Sequence, residues 1–555
     1  MEYIKNSLTF PSMFDETLRK FGKHNAYSFV GESPVTFEAA NKQIQSVIAF
    51  LEKNGIEPGD KVAILSTNMP NWGITYFAVT FMGAIAVPVL PDFSNTEVGN
   101  VLEHSEAKAI FISNSLLQRI EGFKSKDLKT GILIEDFSLV FSEKDYLAYD
   151  SSLLPAKNYE VKEDDLASII YTSGTTGRSK GVMLTHKNIT FNALKGCVIQ
   201  TMDENDRFLS VLPLSHTYEN TLGLVLPMIC GSCVYYLRKP PTPAVLLPAL
   251  AEIKPSVMLT VPLIIEKIYF NKVLPAFRDK LILKLLYKIP FMRKKLNEAA
   301  GKKLKNTFGG NLKFFGIGGA KLNKTVEKFL IEAKFPYAIG YGLTETSPLL
   351  AGANPQKARY ESTGPAIEGI ELIINNPDKK TREGEIWAKG PTVMRGYYKE
   401  PEITKEVLTH DGWFKTGDLG TLDSNNYLYI KGRLKNMILS SSGENIYPEE
   451  IESIINNFRF VVESLVVQQK GKLVAYVHIN MEELEKKYQH LKEDMSRQKE
   501  DISRQLEEKA DEVLVELQEY VNSQVNKFSK IQKVVLQPVP FQKTATLKIK
   551  RFLYT

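Results

Sequence analysis

From about residue 60 the chain alternates short apolar runs with helix-like stretches, a pattern that few architectures accommodate. Lys61-Val-Ala-Ile-Leu-Ser66 reads as a strand, Asn71 to Met82 as a helix, and Ala84 to Leu90 as a strand, with more strands at 109–113 and 130–134. Parallel strands need a crossover, usually a helix, so this alternation predicts layered α/β structure. The expected fold class is α/β. Gly73 to Leu90 carries no charge and approaches the length of a membrane span. Gly83 and Pro88 interrupt it, however, and its second half is short and β-prone. It is therefore read as a buried helix followed by a buried strand. The first residues, MEYIKNSLTFPSMF, have no basic stretch leading into an apolar one, so no signal peptide is expected.

The 555 residues supply three or four domains' worth of chain at roughly 150 residues each. A hydrophobic share of 43% excludes wholesale disorder. Three cysteines (Cys197, Cys230, Cys233) cannot make a disulfide framework, and Cys230 and Cys233 in CGSC read as small buried residues, in keeping with a reducing compartment. Between Tyr360 and Gly432, Gly- and Pro-punctuated short strands predict a β-rich subdomain that closes a large N-terminal domain, 1–433. A small α+β domain, 434–555, follows, with strands near 461–468 and 473–479. Residues 481–510 hold 7 basic and 9 acidic residues, with Leu484, Tyr488, Leu491, Met495, Ile502 and Leu506 on one stripe. That predicts a charged helical insertion packed on its own domain, the alternative being a coiled-coil contact in a homodimer.

The sharpest motif is YTSGTTGRSKG, residues 171–181, after the apolar strand Leu166 to Ile170 and before Val182 to Thr185 and a helix from Lys187. Backbone N–H groups, hydroxyls and one lysine together suit a polyphosphate. The standard P-loop spacing fails: five positions after Gly174 stands Ser179, and Lys180 is followed by Gly181.

The same stretch resembles the phosphate loop of the acyl-adenylate-forming superfamily, which includes acyl-CoA synthetases, luciferases and peptide-synthetase adenylation domains. GYGLTET (340–346), WFKTGDLG (413–420), GRLKNMI (432–438), GENIYPEE (443–450) and TATLKIKR (544–551) recur in that superfamily's order. The resemblance implies a large domain for AMP and the acyl group and a small mobile domain carrying a catalytic lysine. It implies ATP and Mg²⁺ as cofactors, with CoA as co-substrate. Activating a carboxylate on ATP brings anions together, so cations and N–H donors are needed.

By resemblance Thr172, Ser173, Gly174, Thr175, Thr176, Gly177 and Lys180 hold the β- and γ-phosphates. Thr344 meets the α-phosphate and Glu345 binds Mg²⁺. Tyr341 stacks on adenine opposite the backbone of Gly318, Gly319 and Ala320, with Gly342 beside it. Asp418 and Arg433 take the ribose hydroxyls. Lys548 bridges the carboxylate and the α-phosphate, with Leu547 where the superfamily usually has Gly and Lys550 as its rival. Lys435 is the hinge about which the small domain turns, bringing Gly443 and Glu444 towards CoA. The hinge motif departs from the superfamily at Gly432 and Asn436, where Asp is common. His216, in LSHTYE, borders the acyl and CoA channels.

The TATLKIKR variant resembles long-chain fatty acid–CoA ligases, so a long-chain fatty acid is the expected substrate. A ligase that loads an acyl carrier protein or another carboxylate is the alternative, and a non-catalytic protein on this scaffold is the reading from another class. The formal charge of +6 hides a concentration: residues 265–310 hold 12 basic and 3 acidic residues, a net +9 that leaves −3 for the rest. There Leu281, Ile282, Leu285, Leu286, Ile289 and Phe291 lie among lysines. This predicts either peripheral contact with an anionic membrane or a core-packed helix pair with a solvated basic face. No motif that reads DNA or RNA accompanies the basic segment, and nucleic acid is not expected as a partner. A cytoplasmic enzyme, peripheral at the inner face of the membrane, is the expected setting.

Overall fold

A computed structural model of the chain describes residues 7–142, 148–172, 179–278, 281–439, 445–488, 499–544 and 549–554, and element counts refer to these. Two eight-stranded sheets dominate. One runs, in spatial order, Gly396–Tyr397, Lys180–Thr185, Leu166–Thr172, Ile85–Val89, Lys61–Leu65, Ala107–Ile112, Thr130–Leu133 and Leu139–Ser142. Its centre is parallel, with Lys61–Leu65 flanked by Ile85–Val89 and Ala107–Ile112. The other runs Leu349–Gly352, Tyr337–Gly342, Phe314–Ile317, Val257–Thr260, Arg207–Ser210, Cys233–Tyr236, Asn25–Phe29 and Val35–Thr36.

The uncharged run at 73–90 resolves into the helix Pro70–Phe81 and the strand Ile85–Val89. Every residue from Trp72 to Phe81 is buried. A helix that is apolar all round has to be enclosed, and this one is. With Phe10–Phe21, Phe37–Lys53 and His186–Ile199 it supplies a core that also takes Val62, Ile64 and Leu184 from the first sheet and Tyr27, Phe208 and Val234 from the second. No helix among the described residues is long and apolar enough to cross a membrane. All three cysteines are buried, and the Cys197 and Cys230 thiols lie 2.9 Å apart.

The Gly- and Pro-punctuated stretch forms an antiparallel five-stranded sheet in the order Gly364–Pro365, Tyr427–Arg433, Phe414–Leu422, Gly384–Lys389, Glu371–Asn375. One strand of this stretch departs from the expectation: Gly396–Tyr397 leaves to pair with Met183 and Val182 on the edge of the first large sheet.

The strands Val461–Gln469 and Lys472–Ile479 pair antiparallel, and Lys533–Leu536 adds in parallel to Lys472–Ile479. The charged stretch contains helices Met481–Tyr488 and Lys499–Asn522. Of the predicted stripe Leu484 is packed, the side chains of Tyr488, Ile502 and Leu506 lie outside the described residues, and packing is seen again beyond the predicted residues. Leu484, Ala510, Val513, Leu514, Leu517 and Val521 join one core with Ile451, Ile455, Val466 and Val477. Leu491 and Met495 lie outside the described residues. Lys321 pairs with Glu450 at 2.7 Å, and the Tyr447 hydroxyl donates to Glu383 at 2.6 Å, tying residues after 440 to those before.

Candidate active site

Two of the motif-bearing segments, at 318–320 and 340–346, lie at the carboxyl ends of the strands Phe314–Ile317 and Tyr337–Gly342 of the second large sheet, where α/β sheets place their ligands. The strand Leu166–Thr172 pairs antiparallel with Lys180–Thr185, setting Thr172 opposite Lys180. The connection between them therefore joins two antiparallel strands, whereas a P-loop joins a strand to a helix. Ser173, Gly174, Thr175, Thr176 and Gly177 lie outside the described residues. Past the hairpin, Thr185 caps the helix His186–Ile199 reciprocally. Its backbone N–H donates to Asn188 Oδ1 at 2.8 Å, and its hydroxyl accepts from the Asn188 N–H at 3.1 Å.

That helix positions two other segments through buried amides. Asn188 Nδ2 donates to the carbonyls of Pro391 and Val393 at 2.7 and 3.0 Å, steering the chain into the strand Gly396–Tyr397. Asn192 donates to the carbonyls of Thr346 and Leu349 at 3.2 and 2.8 Å and accepts from the Leu349 N–H. It thereby holds the turn Thr344–Thr346 that follows the strand Tyr337–Gly342. Within the turn the Thr346 hydroxyl donates to the Pro348 carbonyl at 2.6 Å. Gly342 is required here: a Cβ would stand 1.8 Å from the Pro348 carbonyl oxygen.

The two segments converge on a residue that the sequence analysis missed. The Tyr397 hydroxyl donates to Glu345 Oε1 at 2.9 Å, and Lys180 Nζ stands 5.0 Å from the centroid of the same ring. Burial first, and then Glu345, hold the Tyr397 phenol well above its ordinary range, so it remains a donor. The available signal was Gly-Tyr-Tyr at 396–398, an aromatic pair between Arg395 and Lys399, with Gly396 at φ +144°. Lys180, Glu345 and Tyr397 thus come together from three separate segments. Thr344 is half-buried beside them.

A second group forms around Asp418 on the strand Phe414–Leu422. Asp418 Oδ2 accepts from the Tyr341 hydroxyl at 2.8 Å, and Oδ1 pairs with Arg433 Nε at 2.8 Å. Asp418 and Arg433 are cross-strand partners, so the sheet fixes the pair. Burial opposes the Arg433 cation, but Asp418, Tyr341, Glu345 and Glu449 outweigh it and raise its pKa. The predicted adenine residue Tyr341 is therefore buried against the predicted ribose residue Asp418.

Gly319 and Ala320 are exposed just beyond the strand Phe314–Ile317, with Gly319 at φ +81°. Tyr218 lies beneath them: a Cβ on Gly318 would meet its ring at 3.2 Å. His216 Nδ1 accepts from the Tyr218 N–H at 3.3 Å, capping the turn Thr217–Glu219. Glu219, also absent from the predicted site, is wholly buried. Its Oε1 accepts from the Ser210 hydroxyl at 2.6 Å, and its Oε2 has no hydrogen-bond partner among the described residues. Desolvation pushes its carboxyl up to about 8. Lys435 lies in the exposed turn Leu434–Asn436, whose Asn436 donates to Glu449 at 2.6 Å. Gly443, Glu444 and Lys548 lie outside the described residues. Among the described residues there is no cluster of three or more His, Cys, Asp or Glu able to hold a metal.

A family model described as AMP-binding enzyme matches residues 14–398. The chain belongs to the AMP-binding enzyme family. Like other AMP-binding enzymes of the adenylate-forming superfamily, it is an AMP-forming ligase. It is 29% identical to long chain acyl-CoA synthetase 7, peroxisomal, of Arabidopsis thaliana, over 83% of this chain and 72% of that protein. It is 27% identical to a chloroplastic long-chain-fatty-acid–[acyl-carrier-protein] ligase of the same plant, over 86% and 77%. The fold matches o-succinylbenzoate CoA synthetase from Bacillus subtilis in complex with its acyl-adenylate intermediate, at a TM-score of 0.76, 22% identity and 98% coverage of each chain.

Proposed function

We propose that this AMP-binding enzyme is an ATP-dependent long-chain fatty acid–CoA ligase. It forms an acyl-adenylate with release of pyrophosphate, then passes the acyl group to the thiol of CoA. The observation that most supports an adenylating site is the convergence of Lys180 and Glu345 on Tyr397. Long-chain acids are favoured by the TATLKIKR variant and by the names of the relatives at 26–29% identity.

In this reading the fatty carboxylate attacks the α-phosphorus of ATP and pyrophosphate departs. Thr172, the loop 173–177 and Lys180 hold the β- and γ-phosphates, so the leaving group departs into a cationic, N–H-rich cradle. Thr344 donates to the α-phosphate. Lys548 bridges carboxylate and α-phosphate, offsetting the charge that the two anions bring together. Tyr341 and the backbone of Gly342, Gly319 and Ala320 enclose adenine, and Asp418 and Arg433 take the ribose.

Glu345 fits Mg²⁺. It is a half-buried carboxylate held by Tyr397, the ring that Lys180 also approaches, and Mg²⁺ in such sites takes one or two carboxylates with substrate phosphates and waters. The bound ion would neutralise phosphate charge. The Tyr397 hydroxyl, held on Oε1, fixes the carboxylate's orientation.

For the second half-reaction, residues 434–555 turn about Lys435 as a mobile domain relative to 1–433, withdrawing Lys548 and presenting Gly443 and Glu444 to CoA. His216 borders the route of the acyl chain and CoA. No protein nucleophile is needed, because the CoA thiol attacks the acyl-adenylate.

The second reading, transfer to an acyl carrier protein, is favoured by the carrier-protein ligase among the relatives. Pyrophosphate release over carboxylates from acetate to palmitate, with CoA, with carrier protein and with neither, separates the two. Release that peaks with acetate, or with no acid, overturns the substrate assignment.

A further inference from the structure

Residues 281–291 of the basic segment turn five large apolar side chains outward, the opposite sense from an ordinary surface helix. From Val261, which faces Gly319 at the rim of the site, the chain runs through the helices Pro262–Ile268, Leu274–Arg278, Leu281–Tyr287 and Pro290–Thr307. Polar groups and one aromatic stack hold the inward faces of Leu281–Tyr287 and the first half of Pro290–Thr307, whose second half packs Gly301 and Leu304 into a core. Tyr287 stacks on Phe277 with ring centroids 4.9 Å apart, and its hydroxyl donates to Asn297 Oδ1 at 3.0 Å. Asn297 donates in turn to Glu332 at 2.7 Å, and Arg293 grips Glu332 through two nitrogens at 3.0 and 2.8 Å.

The outward face is apolar. Leu281 is 73% exposed, Ile282 72%, Leu285 56%, Ile289 50% and Phe291 66%. Five large side chains exposed within eleven residues is a patch, whereas scattered single ones are ordinary surface. The helices cannot roll the patch inward without breaking the Arg293–Glu332–Asn297 network. Lys284, Lys288, Lys294 and Lys295 are exposed around it, with Lys295 Nζ 5.5 Å from the Phe291 ring centroid. Of the two readings that the sequence left open, the core-packed one describes the second half of Pro290–Thr307, where Gly301 and Leu304 are buried, but not these five side chains.

We propose that the face formed by Leu281–Tyr287 and the first turn of Pro290–Thr307 docks on an anionic lipid bilayer. The apolar side chains would enter the boundary between headgroups and acyl chains, while the lysines lie along it and reach lipid phosphates. A net charge of +9 over residues 265–310 disfavours pairing of this face with a second copy of itself and favours an anionic surface. Because the helices Pro262–Ile268, Leu274–Arg278 and Leu281–Tyr287 follow one another in the chain from the rim of the site to the patch, docking would place that rim near the source of a membrane-dissolved acid.

The test is flotation of the full chain, without ATP or acid, with vesicles of equimolar phosphatidylcholine and phosphatidylglycerol, and with phosphatidylcholine alone. Binding is expected to the anionic vesicles at low salt and to weaken as salt rises. Each basic residue near such a surface strengthens binding about fivefold, so K284E/K288E should weaken it at least ~25-fold. L285S/F291S should weaken it about tenfold or more. Both variants should keep the melting temperature of the parent and its pyrophosphate release with a water-soluble medium-chain acid. No flotation at low salt, or flotation unaltered by both double variants, overturns the proposal. Concentration-dependent self-association abolished by L285S/F291S, without flotation, assigns the face to a second copy instead. Because substrate is absent from the flotation, a chain that floats yet activates no long acid refutes the substrate assignment alone.

Discussion

Replacing Glu219 by Gln isolates the cost of ionising a carboxyl group inside the core. Glu219 is 2% exposed, and a Cβ on Gly223, one turn further on, would approach its carboxyl carbon to 2.7 Å, so only glycine admits it there. The Ser210 hydroxyl donates to one oxygen, and among the described residues no cation acts on the carboxyl. Desolvation therefore dominates, lifting the pKa from 4.5 to about 8.

A folded-state pKa above the unfolded one contributes stability that is complete below about pH 4.5 and is lost as pH rises towards 8. Integrated from about pH 5 to about pH 8, the two pKa values give a loss of roughly 3–4 kcal/mol, which the isosteric amide does not suffer. Glu219→Gln should still accept from Ser210, so the two proteins are expected to be closest in stability at pH 5 and to diverge as pH rises. Urea unfolding across that range measures the difference. An infrared difference spectrum between the two at pH 7 should show the carbonyl band of a protonated acid. A flat difference in stability with no such band would refute the reasoning, because the carboxyl would then be ionised and hydrated in the folded protein.

Tyr397→Phe keeps the ring over Lys180 but removes the donor to Glu345. A hydrogen bond to a charged group contributes about 1.5–3 kcal/mol, so acyl-adenylate formation, read as pyrophosphate exchange, should fall roughly ten- to a hundredfold with melting little changed. Gly342→Ala drives a Cβ into the Pro348 carbonyl; we expect loss of the folded turn, seen as a melting temperature several degrees lower and loss of exchange. Lys548→Ala should abolish acyl-adenylate formation while sparing thioester formation from supplied acyl-adenylate, as measured with CoA by chromatography. If both half-reactions fall together, the two-conformation assignment is wrong.

The alternating strands and helices, the β-rich stretch and the ordered motifs were all legible in the sequence. Each depends on local periodicity or on a contiguous run of residue types, which a chain displays before it folds. The helix at 70–81 and the strand at 85–89 could be read because enclosure demands unbroken apolarity. Lys180 and Glu345 carried their motifs with them.

Three features were decided by tertiary structure. Tyr397 sits in no motif singled out in the sequence, and becomes part of the site only because Gly396–Tyr397 pairs with the edge strand Lys180–Thr185, a contact between distant segments. Glu219 reads as an ordinary charge in LSHTYE, and its raised pKa comes from desolvation that burial alone imposes. At residues 281–291 periodicity revealed an apolar face but not its direction. The Arg293–Glu332–Asn297 network points that face outward, because the partner that fixes it, Glu332, comes from another helix.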